Sequence, residues 1–183
     1  MTTATDNISP QSLMSEVLEA WPGAQRALFR KYHIGGCSSC AFRPDETLAQ
    51  VCARNNNLDV DEVLEQLRQS HDEDSKIMLT PAELAAQRRE NPSLKLLDVR
   101  SREEFEAVRI EGSVLMSQPT VQEIMAKWPR EEVFVIIDHD GKRGLDAAAY
   151  FVGHGFTNVR CLRGGLDAWA REVDATMRRY KLA

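Results

Sequence analysis

The run Val133-Phe-Val-Ile-Ile137 is apolar at every position, and this feature restricts the fold more than any other. A strand with one wet face alternates apolar and polar residues, so a run without alternation has to be covered on both sides. It is also far too short to cross a bilayer, which takes about 20 residues. What it demands is a sheet with helices packed on both faces.

The flanking pattern supplies that architecture. Further strands are expected at residues 94–97, at Val159–Leu162 and, more briefly, at Ser113–Leu115. Helix starts fall between them. Thr80-Pro-Ala-Glu83 has a capping threonine, a proline at the first helical position and a glutamate to complete the box. Ser101 with Glu104, Thr120 with Glu123, and the turn from Gly141 to Gly144 open three more. Strands alternating with helices predict a parallel sheet flanked by helices.

Residues 8–69 read differently, as a small all-α domain of four helices. Leu13, Val17, Leu18 and Trp21 line one apolar face before Trp21-Pro-Gly23 stops the first helix. Ala24, Ala27, Leu28 and Tyr32 mark a second, ended by Ile34-Gly-Gly36, and a third starts near Thr47 with Leu48, Val51 and Cys52 on one side. Asp59 is placed to cap the fourth with Glu62 reaching back, leaving Val60, Val63, Leu64 and Leu67 inward. So small a domain buries only about 60% of its unfolded surface, so a metal, a partner or the second domain would help hold it. The polar, acidic run Ser70-His-Asp-Glu-Asp-Ser-Lys76 is expected to be a linker over 70–76, followed by an α/β domain over 77–173 and a tail over 174–183.

With 43% hydrophobic and 28% charged residues among 183, the chain is an ordinary globular one and not a disordered or membrane-bundle sequence. A net charge of −5 leaves no footprint for nucleic acid or anionic lipid. The first residues carry neither a basic patch nor an apolar stretch, so a cytoplasmic location is expected.

In open α/β sheets chemistry collects at the carboxyl ends of the strands. The apolar run ends in Asp138-His-Asp-Gly-Lys-Arg143, then Gly144 and a helix. Glycine and basic residues at such a turn let backbone N–H groups converge as an anion cradle at a helix N-terminus, here Asp138, His139, Asp140, Gly141, Lys142 and Arg143. Three consecutive residues rarely converge on one ion, so a metal held by Asp138, His139 and Asp140 with His154 is disfavoured, and His139 is expected to face solvent.

Residues 77–173 resemble the rhodanese family. The residues that carry the resemblance are Leu97-Asp-Val-Arg-Ser-Arg-Glu-Glu-Phe105, Arg109-Ile-Glu-Gly-Ser113 and Cys161-Leu-Arg-Gly-Gly-Leu-Asp-Ala-Trp169, in order and at the family's spacing. The family's active loop has the pattern C-x-x-G-x-R, on which Gly141 and Arg143 match while Asp138 stands at the cysteine. Its length is that of rhodaneses and one residue shorter than that of the related cell-cycle phosphatases. The resemblance implies sulfurtransferase-like architecture with no cofactor in this domain, but a carboxylate cannot take up a sulfane sulfur as a thiolate does. Asp138 is expected to be ionised, its carboxyl held low by loop N–H groups and Arg143 so that it fills the cradle itself, or simply to cap the turn. Cys161, at a position where the family carries an apolar residue, is expected to fill core space.

Cys37 and Cys40 form a CxxC in Lys31-Tyr-His-Ile-Gly-Gly-Cys-Ser-Ser-Cys40. With Val17-Leu-Glu-Ala-Trp-Pro22 and Leu58-Asp-Val-Asp-Glu-Val-Leu64, this segment resembles a helical domain of unknown function that accompanies hybrid-cluster proteins and iron–sulfur-repair factors. Two thiolates at this spacing suit zinc or an iron–sulfur cluster, with His33 and Cys52 as weaker ligands or a homodimer completing the set. They equally suit thiol or persulfide chemistry, or none. A thioredoxin-type oxidoreductase is disfavoured, because the motif does not follow the first strand of a βαβ unit. Two functions stay open: a non-catalytic, binding or regulatory protein coupled to a cysteine module, or a sulfur carrier using Cys37 or Cys40 with a protein partner or sulfur donor.

Overall fold

The computed structural model describes residues 7–35 and 42–181. The chain divides into two compact units, Met1–Lys76 and Ile77–Ala183.

In the first unit, α1 (Met14–Ala20), α2 (Ala24–Tyr32), α3 (Leu48–Arg54) and α4 (Val60–Ile77) enclose a core around Met14, Val17, Trp21, Leu28, Leu48 and Leu67. Thr47 caps α3 in a reciprocal box with Gln50. Asp59 caps α4 by accepting the Asp61 and Glu62 N–H groups, but Glu62 turns outward to Lys31 (3.5 Å) instead of reaching back. Residues 70–76, expected as a linker, are instead the last turns of α4. The run has no glycine or proline to stop the helix, and two of its polar side chains have tertiary partners. His71 stacks on Trp21 at 6.0 Å, and Asp74, 8% exposed, accepts from Arg26 at 2.5 Å. A Cβ on Gly23 would fall on the Asp74 carboxylate, so a larger residue at that cap of α2 would displace Asp74.

The second unit carries β1 (Met78–Leu79), β2 (Lys95–Asp98), β3 (Ser113–Leu115), β4 (Phe134–Ile137) and β5 (Val159–Leu162). They form one parallel sheet in the order β1-β5-β4-β2-β3. The helices are α5 (Pro81–Glu90), α6 (Arg102–Ala107), α7 (Gln118–Lys127), α8 (Lys142–Gly153) and α9 (Gly165–Glu172). Central β4 is buried throughout and feeds two cores by alternation. Val135 and Ile137 pack with Leu96, Leu162 and Trp169; Phe134 and Ile136 pack with Phe151, Phe156 and Ile124. Two details differ from the sequence pattern. Helix α7 starts earlier than Thr120, at the Ser117 cap, with Pro119 in its first turn, while the Thr120 hydroxyl bonds to the Leu115 carbonyl. Strand β1, too short to show a period, pairs with β5 at Met78↔Cys161 and Leu79↔Leu162.

At the end of β2, Asp98 and Arg100 form a fully buried ion pair. Arg100 Nε and Nη2 donate to the carboxylate at 3.0 and 2.7 Å, Nη2 also donates to the Val108 carbonyl at 2.7 Å, and Nη1 donates to Tyr180 Oη at 2.9 Å. Burial works against the guanidinium charge, but the bonds to Asp98 and Tyr180 outweigh it and hold Arg100 above its usual range. Removing one partner of such a pair strands the other charge. Arg100→Ala is therefore expected to cost about 3–5 kcal/mol in denaturant unfolding. Arg102→Ala, which breaks an exposed pair with Glu106 (3.8 Å), should cost less than about 1 kcal/mol.

Candidate functional site

The candidate site is the loop from Asp138 to Gly141 between β4 and α8. It is built against the turn before α9, where glycine is required by contact. A Cβ on Gly141 (φ 90°) would lie 2.7 Å from the Gly164 nitrogen, and one on Gly165 (φ 58°) would lie 2.5 Å from the His139 carbonyl. Across that close approach, Leu166 N–H donates to the Asp138 carbonyl at 2.8 Å and Asp167 N–H to the His139 carbonyl at 3.1 Å. The start of α9 thus pins the loop backbone.

Asp138 is fully buried, and its Oδ1 accepts the Gly141 N–H at 2.8 Å. The Gly144 and Arg143 N–H groups also favour the carboxylate, whereas Oδ2 has no hydrogen-bond partner among the described residues. Its bond to the Gly141 N–H caps the turn into α8 from inside the loop. The expected direction of its titration is corrected, however. Burial is the largest influence on Asp138 and, with the nearby Asp140 charge, pushes its carboxyl up to about 6 despite the opposing N–H groups. The Arg143 side chain is exposed and acts on Asp138 only through its backbone N–H.

The neighbours of Asp138 are placed as follows. Asp140 accepts the Lys142 N–H at 3.2 Å and faces Lys142 Nζ at 3.5 Å. His139, expected to face solvent, is half-buried. Its ring lies 4.5 Å from that of Tyr180, and Nδ1 is enclosed without a hydrogen-bond partner among the described residues. His154 stands at the opposite end of α8, with Nδ1 2.7 Å from the Tyr150 carbonyl oxygen. Cys161 is fully buried beneath the first turn of α8: a Cβ on Gly144 would fall 2.6 Å from its Sγ and 3.2 Å from Asp138 Oδ1. Sequence reasoning missed this adjacency and the role of Tyr180. A cysteine inside an apolar strand gives no sign of what lies across the sheet, and a tail tyrosine falls in no periodic element.

Cys37 and Cys40 lie outside the described residues. Of their weaker companions, His33 is exposed at the left-handed cap of α2 (φ 58°), and Cys52 is buried in the helical core. Burial, then the Asp59 charge, pushes the Cys52 thiol up to about 11, so it is a neutral packing group at pH 7.

Residues 80–172 match the family model described as a rhodanese-like domain. Among curated proteins, the chain is 33% identical over 89 residues to a protein of Pseudomonas savastanoi pv. phaseolicola named thiosulfate sulfurtransferase GlpE, covering 49% of this chain and 83% of that one. It is 32% identical over 104 residues to a probable adenylyltransferase/sulfurtransferase, MoeZ, of Mycobacterium tuberculosis, covering 56% of this chain but 26% of that longer protein. Among solved structures, a rhodanese-like domain protein from Staphylococcus aureus aligns with a TM-score of 0.46 at 22% identity, over 57% of this chain and 98% of that one.

The Asp138 carboxyl gives a pH signature. Its folded-state value near 6 exceeds the ordinary 3.8, so the folded chain holds this proton more tightly than the unfolded chain does. The stabilisation is fully present below about pH 4 and is lost as pH rises through 6; a gap of this size corresponds to at most roughly 3 kcal/mol. Asp138→Asn keeps an acceptor for the Gly141 N–H but cannot ionise. Its unfolding free energy is expected to be flatter than wild type from pH 4 to 7 and about 1–3 kcal/mol higher at pH 7.5, measured by urea titration. An unchanged pH slope in the variant would show that another group carries it.

Proposed function

Because this chain belongs to the rhodanese-like domain family through residues 80–172, we propose that it uses that fold to bind or regulate instead of transferring sulfur at the loop. The observation that supports this is Asp138. The family resemblance puts it at the position of the sulfur-carrying cysteine, and its carboxyl is buried and bonded to the Gly141 N–H. Transfer from thiosulfate needs a thiolate to attack the outer sulfur, with sulfite leaving and a persulfide left behind; a carboxylate cannot form that bond stably or release it. With the Gly141 N–H already engaged, an incoming anion meets the Asp138 carboxyl inside the loop.

In this proposal the partner is a protein, the setting is cytoplasmic, and the rhodanese-like unit is coupled to a responsive helical module carrying Cys37 and Cys40. No helix among the described residues is long and apolar enough to cross a membrane. A homodimer would bring two CxxC pairs to one zinc ion or iron–sulfur cluster. A second reading draws on the relatives named sulfurtransferases: Cys37 or Cys40 accepts a sulfane sulfur that the rhodanese-like unit helps to present.

Thiocyanate formation from thiosulfate and cyanide separates these. Wild type is expected at background and Asp138→Cys at least about tenfold above it, since a restored thiolate meets the loop's N–H groups. Wild-type turnover abolished by Cys37→Ser or Cys40→Ser would overturn the non-catalytic proposal in favour of the carrier. Iron, zinc, acid-labile sulfide and the visible spectrum of anaerobically purified protein identify what the CxxC holds.

A further inference from the structure

The segment after α9 is anchored at successive points, and it lies beyond the stretch that matches the family. Asp174 Oδ1 accepts from the Thr176 N–H and hydroxyl, making a turn, and Met177 and Tyr180 pack on the core around Leu166 and Trp169. Arg179 then grips Asp167 with two bonds, Nε to Oδ1 at 2.7 Å and Nη2 to Oδ2 at 3.2 Å. The Tyr180 hydroxyl accepts from Arg100 Nη1 at 2.9 Å and donates to Glu104 Oε1 at 2.7 Å, while its ring lies against His139. The crevice left between tail and loop has a volume of about 10 Å³, room for no more than one water.

We propose that the surface beneath the tail, formed by Arg100, Glu104, Asp167 and His139, is a docking site for a peptide segment with a basic residue followed by tyrosine, and that residues 174–181 of the chain fill it in cis and cover the loop at His139. The chemistry of the walls sets the pattern. Asp167 is the acid that receives a guanidinium. Arg100 as donor and Glu104 as acceptor together recognise a phenol hydroxyl, and phenylalanine would leave both partners unmatched. The tail is exchangeable because its ionic anchor is outside the core: the Arg179 and Asp167 side chains are 54% and 25% exposed, open to screening by salt and to competition. The site serves a loop that binds or one that transfers sulfur, so it stands independently of the function proposed above.

The test is the rate at which His139 is carbethoxylated by diethyl pyrocarbonate at pH 7, read by peptide mass mapping, with exposed His33 and His154 as internal controls. Full-length Tyr180→Ala is expected to raise the His139 rate about fivefold over wild type and leave the control rates unchanged, the scale set by losing weak, partly exposed anchors. Tyr180→Phe, which keeps the ring but loses both hydroxyl bonds, should fall between. Wild type in 1 M NaCl, where screening acts within about 3 Å, should also react faster at His139. A peptide of residues 178–183, added at millimolar concentration to a chain ended after Met177, should restore the slow rate; the same peptide with Tyr180→Ala should not. If that shortened chain does not fold, the peptide is added to full-length Tyr180→Ala instead. Equal His139 rates in wild type and Tyr180→Ala would overturn the covering role, and failure of the peptide to protect would overturn the docking site.

Discussion

The rhodanese-like unit is organised around one buried charge pair. Asp98 and Arg100 sit two residues apart at the end of β2, both out of water, and neither could remain there without the other. Their pairing has consequences well beyond β2. With Asp98 accepting three of its contacts, the guanidinium still has donors to spend on the Val108 carbonyl beyond α6 and on the Tyr180 hydroxyl from the far end of the chain. A planar, fork-shaped cation can hold three segments in fixed directions at once, which a lysine could not. The loop that follows β4 inherits its surroundings from that arrangement, because the tyrosine held by Arg100 is also the residue packed on His139.

Within the loop, two demands compete. The converging N–H groups and the start of α8 favour negative charge, whereas complete burial opposes it. At Asp138 burial prevails without cancelling the hydrogen bonds, leaving a carboxyl that is an acceptor for Gly141 yet holds its proton to unusually high pH. Glycine at 141, 144 and 165 makes this geometry available, since each would-be Cβ falls on an atom of the loop, the turn before α9 or Cys161. The Asp138 side chain occupies the inside of the loop, and the loop backbone is tied to α9.

Much of the fold was legible in the sequence because it rests on short-range physics. The apolar Val133–Ile137 run, the Thr80 and Ser101 boxes and the Gly-containing turns each have a local cause, and β3, β5, α5, α6 and α8 follow from them. What escaped depends on partners distant in sequence. Residues 70–76 look like a linker until His71 meets Trp21 and Asp74 meets Arg26. The Asp138 position could be identified, but not the direction of its titration, because composition does not reveal how completely a side chain will be enclosed. Tyr180, 80 residues beyond Arg100 and 76 beyond Glu104, had no local signal at all.

The ends of the sheet have a further consequence. The outer strands, β1 and β3, are two and three residues long, and only Val114 among the exposed large apolar residues belongs to either. An edge strand offers unpaired backbone groups to any neighbouring sheet, and the hazard grows with its length and flatness. Here the most apolar strand is placed at the centre, flanked on both sides by strands of its own length, and the perimeter is cut short. The sequence most capable of nucleating intermolecular β-structure is thereby the one least accessible to it, so resistance to aggregation is a property of strand order as much as of surface charge.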